Sequence, residues 1–64
     1  MRTFRAGALV RWNPPEGAYS PRCLQQQLAG QTGVVQHYDE GRDTLPVRIN
    51  RLTLFLNSAY LEVV

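Results

Sequence analysis

This 64-residue sequence predicts an all-β fold: five short strands curled into a small, partly open barrel. Three observations carry that expectation. No window of useful length repeats its apolar residues at the helical period. The apolar runs that do exist are short, and Gly, Pro, Asn and Asp cut them. Finally, an open sheet of this size would leave its edges and one apolar face in water, so the strands must curl.

The first strand is GALVRWN (7–13), with Val10 and Trp12 on one face and Leu9 and Arg11 on the other. Pro14 and Pro15 end it, because neither can donate to a ladder. PPEGAYSPRCLQQQLAG (14–30) is then a long loop, within which CLQQQLA (23–29) can form one helical turn or two. Its apolar residues are few. Tyr19 with Leu24 or Leu28 is expected to anchor it on the barrel, while Gln25–Gln27 stay in water, since three consecutive amides are hard to bury with every bond satisfied.

QTGVVQHY (31–38) reads as the second strand and DEGRDT (39–44) as a polar turn with Gly41 at its tip. LPVRIN (45–50) is the third, with Val47 and Ile49 facing one way and Arg48 the other. A turn at Asn50–Arg51 leads to LTLFL (52–56), whose leucines alternate with Thr53 and Phe55. NSAY (57–60) breaks the pattern, and LEVV (61–64) closes the fold. The expected core is Val10, Trp12, Val35, Val47, Ile49, Leu54, Leu56, Leu61 and Val63. Residues 1–64 make one domain, and residues 1–5 have no anchor in the pattern and are expected to be flexible.

Composition narrows the function classes. A single core of this size supplies no more than ~3–5 kcal/mol, and the common staples are missing. Cys23 is the only cysteine and His37 the only histidine, so neither an internal disulfide nor a Cys/His zinc set is available. No cofactor or metal is expected. The lone thiol suits a reducing, cytoplasmic setting. No apolar run approaches a membrane span, and MRTFRAG has no signal-peptide core, so membrane insertion is not expected. All seven basic residues are arginine, and the formal net charge is only +2. That is small for a nucleic-acid-binding surface.

The order of these elements resembles that of small Src-homology-3-like barrels. Gly7 to Trp12 gives the form G-x-x-V-R-x, and after a long loop Gly30 to Val35 gives G-x-x-G-x-V. The layout is similar to that of the translation-associated KOW modules. It is also similar to the photosystem I E subunit, through Arg11, Tyr19, Pro46–Val47, Leu61 and Val63. Ser58 and Tyr60 match the turn before the last strand of true Src-homology-3 domains, whereas Leu56 and Ala59 depart from it. The resemblance implies a five-stranded, partly open barrel in which Gly30 and Gly33 form a Cβ-free corner where the loop re-enters. The paired tryptophans and acidic loop that grip proline-rich peptides are absent, so that activity is not expected. The lysine-rich surface of ribosome-bound KOW modules is absent too.

No catalytic set emerges. His37, Tyr38, Asp39 and Glu40 sit together, yet a hairpin tip is open to water and lacks the dry pocket that acid–base chemistry needs. Cys23 has only Arg22 as a basic neighbour and is expected to be unreactive. The informative signal is aromatic. If the leucines of 52–56 face inward, Phe55 faces out, and with Tyr19, Tyr60, Arg48 and Arg51 it would make an amphipathic contact surface. The sequence therefore points to a non-catalytic accessory or adaptor protein that binds another protein or itself, with those five residues as the partner-binding set. The alternative is a KOW-like module that binds RNA or DNA through arginines and exposed aromatics.

Overall fold

The computed structural model describes residues 4–38 and 41–64. Its strands are β1 (Leu9–Trp12), β2 (Thr32–Val35), β3 (Thr44–Ile49), β4 (Leu52–Asn57) and β5 (Leu61–Val63). One helical turn, α1 (Leu24–Gln27), interrupts the long loop, and a 3-10 turn (Ser58–Tyr60) separates β4 from β5. All neighbouring strands are antiparallel and form one sheet in the order β4-β3-β2-β1-β5. The fold is therefore all-β, as the sequence predicts, and the sheet is not closed.

β4 and β5 follow one another in the chain but occupy opposite edges of the sheet. Three residues of 3-10 turn, at about 2 Å of rise each, span only ~6 Å. The sheet must therefore curl until its two edges approach each other. Asn57 supports this corner by accepting the Ala59 N–H on its side-chain oxygen at 2.9 Å. The Asn13 N–H donates to the Tyr60 carbonyl at 2.9 Å, tying the end of β1 to the same turn.

Curling gives the sheet a buried inner face. Val10, Trp12, Val35, Val47, Ile49, Leu56 and Leu61 lie on it, as alternation predicts. Leu45 joins them with the same parity as Val47. Phe4 is also buried, a lone apolar residue in a stretch that the pattern leaves without an anchor. Two expected core residues sit differently. Val63 is 64% exposed although it pairs with the buried Val10, and Leu54 is only half-buried. Both belong to edge strands, although Leu56 and Leu61 on the same two strands are fully buried.

Pro46 sits in β3, flanked by strands on both sides, where proline is normally excluded. It is tolerated because the ladder between β2 and β3 ends one residue earlier, at Val35 opposite Val47. The Pro46 carbonyl still accepts from the Gln36 N–H at 2.9 Å. The β3–β4 hairpin is the tightest in the chain: Ile49 pairs with Leu52, leaving Asn50 and Arg51 as its loop. Asn50 has a φ of 57°, which asparagine tolerates better than most residues.

The two glycines of the loop corner serve different ends. Gly30 has a φ of +86° with open space around it, so its role is conformational. Gly33 pairs with Val10 inside the sheet, and a Cβ there would lie 2.6 Å from the Arg48 carbonyl oxygen. Gly33 is thus a point of close approach between strands. The neck of the loop is closed beside it: the Gly30 N–H donates to the Trp12 carbonyl and the Trp12 N–H to the Gln31 carbonyl.

Trp12 organises the loop. Its indole N–H donates to the Gln25 carbonyl, and Tyr19 and Tyr60 pack against the ring at centroid distances of 5.9 and 6.1 Å. Tyr19 and Leu28 rest on the core as expected, while Leu24 is exposed. Of the three glutamines only Gln27 is exposed. Gln25 and Gln26 are half-buried, contrary to expectation, because the indole draws the Gln25 carbonyl inward and the helical turn follows it. Arg22 is held as well, its carbonyl accepting from the Gln27 amide at 3.4 Å. Trypsin is therefore expected to cut slowly after Arg22. Trp12→Phe should speed that cut about fivefold, the factor for ~1 kcal/mol of lost hydrogen bond, which a time course read by mass spectrometry measures.

Candidate interaction surface

The outer face of the sheet presents a band whose members follow from the register. Leu9 of β1 is opposite Val34 of β2, Val34 opposite Arg48 of β3, and Arg48 opposite Thr53 of β4. Val64 continues the row beyond Leu9, to whose carbonyl it donates its N–H at 3.0 Å. One step along β3 and β4, Pro46 faces Phe55. Directly opposed residues of antiparallel strands bring their Cβ atoms to about 5 Å, and diagonal ones remain within reach of long side chains. The outcome is an apolar band that runs into an arginine. Val64 is 61% exposed, Leu9 46%, Val34 38% and Phe55 65%.

Arg48 is oriented by its own hairpin. Its Nε donates to the Asn50 carbonyl at 3.3 Å, and the Asn50 amide in turn donates to the Gln31 side chain at 3.2 Å. The terminal amino groups of Arg48 have no partner among the described residues. They can receive a carboxylate or a carbonyl in a fork geometry.

The five residues expected to bind a partner divide into groups. Arg48 and Phe55 share the outer face as diagonal neighbours. Tyr19 and Tyr60 are brought together by Trp12 and are half-buried against it. The long loop thus borders the region of Tyr60, through Tyr19. Arg51 stands at the exposed tip of the β3–β4 hairpin. Alternation alone reveals Phe55, because its neighbours in sequence face inward. Leu9, Val34 and Val64 join the site only through register, which strands read singly do not provide.

The remaining candidate groups are scattered. His37 is exposed, Tyr38 is half-buried against the core, and Asp39 and Glu40 lie outside the described residues. Cys23 is a half-buried free thiol at the start of α1. Among the described residues no three His, Cys, Asp or Glu side chains are grouped to hold a metal ion, and no helix is long and apolar enough to cross a membrane. An open depression of about 370 Å³ is lined by Phe4, Tyr38, Arg42, Ser58 and Ala59. Comparison with protein families, curated proteins and solved structures finds no match.

Proposed function

We propose that this chain is a non-catalytic interaction module, an accessory or adaptor protein that docks onto another protein through the outer face of its sheet. The observation that carries the reading is the exposed band of Val64, Leu9 and Val34 running into Arg48, with Phe55 beside it. Isolated exposed apolar residues are ordinary, but a continuous apolar row that runs into an arginine with free amino groups has the make-up of an interface centre. The resemblance to Src-homology-3-like barrels agrees with such a role.

The test is capture of a binding partner by the tagged protein, compared with Leu9→Glu and Arg48→Glu. Both positions are exposed on strands, so the fold should survive, as circular dichroism would verify. Each variant is expected to lower partner affinity at least tenfold, about the cost of removing one anchor from an interface centre. Retention of the partner by both variants would sink the reading. Binding of single-stranded RNA whose affinity falls steeply with salt would replace the protein partner with a nucleic acid.

A further inference from the structure

β4 is a sheet edge without the protection that edges usually carry. It has no charged residue and no proline over Leu52–Asn57, and it is straight-paired to β3 over all six positions. The direction of its backbone groups follows from two bonds. The Gln36 N–H reaches the Pro46 carbonyl, so even-numbered residues of β3 turn their amides toward β2 and odd-numbered ones toward β4. The Ser58 N–H reaches the Asp43 carbonyl across the same hairpin, consistent with that parity. Given the pairing of Val47 with Leu54, the amides of Thr53, Phe55 and Asn57 therefore point away from β3. No other described strand is hydrogen-bonded to β4 on that side, which β5 approaches across the Ser58–Tyr60 turn.

The residues around this free edge read nearly the same in both directions: Thr53-Leu54-Phe55-Leu56-Asn57. An antiparallel copy centred on Phe55 would place Phe55 opposite Phe55, Leu54 opposite Leu56, and Thr53 opposite Asn57. Every outward N–H of Thr53, Phe55 and Asn57 then meets the outward carbonyl of the residue it faces on the other strand. The apolar inner side and the mixed outer side each meet their own kind. With no charge on either strand, nothing repels the approach.

Resting on the reading of this chain as an interaction module, we propose that its partner at β4 is a second copy. The two β4 strands pair antiparallel about a two-fold axis at Phe55 and join two five-stranded sheets into one. The pairing would shelter the Phe55 ring, the most exposed large apolar side chain among the described residues, and add cover to Leu54. A ladder of five residues covers less than the ~800 Å² per partner of a standard interface, so the dimer should be weak, dissociating at micromolar concentrations.

Sedimentation equilibrium from low micromolar to millimolar protein tests this. The mass should rise from 7.3 kDa toward twice that value. At high concentration the amides of Thr53, Phe55 and Asn57 should gain protection from hydrogen exchange. Thr53→Pro removes only an outward-facing donor, so it should abolish the dimer while the β3–β4 ladder stays protected. Phe55→Glu sets two carboxylates face to face at the axis and should do the same. A mass of 7.3 kDa at every concentration would overturn the proposal. So would a dimer that both variants leave intact. A monomer whose protein partner is still lost on Leu9→Glu would overturn self-pairing alone and leave the docking role standing.

Discussion

Gly33→Ala is expected to remove a large share of the stability of the fold and to lower its urea midpoint far more than Gly30→Ala does. The new methyl group would lie 2.6 Å from the Arg48 carbonyl oxygen, 2.7 Å from Ile49 Cγ1 and 2.9 Å from Val47 Cγ1. The first is backbone in the adjoining strand, and the other two belong to buried core side chains, so relief requires parting β2 from β3. Overpacking of this kind costs ~1–3 kcal/mol or more, against the ~3–5 kcal/mol that a core of this size supplies. Gly30→Ala provides the comparison. It meets no atom, only an unfavourable φ, and should cost about 1 kcal/mol. Urea titration followed by circular dichroism measures both. Equal, small shifts in midpoint would mean that the strands around Gly33 are not as close as described.

Trp12→Ala is the second large effect. Truncating a buried aromatic costs ~3–5 kcal/mol, enough alone to exhaust the stability of the domain. The side chain is fully buried, and its loss also strands the Gln25 carbonyl and the rings of Tyr19 and Tyr60. Trp12→Phe separates these contributions. It keeps most of the apolar volume but leaves Gln25 without a donor, so a loss of about 1 kcal/mol is expected from the hydrogen bond. Thermal melts of the three proteins should rank wild type above Trp12→Phe, with Trp12→Ala showing no cooperative transition. A cooperative melt for Trp12→Ala within a few degrees of wild type would show that the loop and the 3-10 turn do not depend on this ring.

Much of the fold was legible because inward and outward residues alternate cleanly where a strand has neighbours on both sides. Val10 and Trp12 on β1, and Val47 and Ile49 on β3, all follow the rule. It failed at two positions on the edge strands: Val63 and Leu54 have the correct parity but are not buried, whereas Leu61 and Leu56 on the same strands are. It missed Phe4, which is buried although residues 1–5 are expected to be flexible, since one apolar residue carries no period. The candidate surface was half legible. Phe55 and Arg48 could be placed outward one strand at a time, but their company with Leu9, Val34 and Val64 depends on which strands lie side by side and in what register. The loop glutamines were misjudged because the bond that draws them inward uses the Gln25 backbone carbonyl, which side-chain chemistry does not foretell.

The strand order carries a kinetic consequence. Ile49 and Leu52 meet across a two-residue loop, so the β3–β4 hairpin can form within microseconds of chain collapse. Val10 and Val63 are separated by 63 − 10 = 53 positions, and their pairing secures β5. Until that pairing forms, β1 lacks one neighbour and the Trp12 ring lacks the turn that carries Tyr60. Closing so long a span before any local reward arrives slows folding well below the rate of helical domains of equal length. Chains in which β5 has not yet paired would expose one side of β1 in addition to the β4 edge, so they are more prone to cluster than the finished fold. Rapid dilution from denaturant at low protein concentration should thus recover more native protein than slow refolding at high concentration.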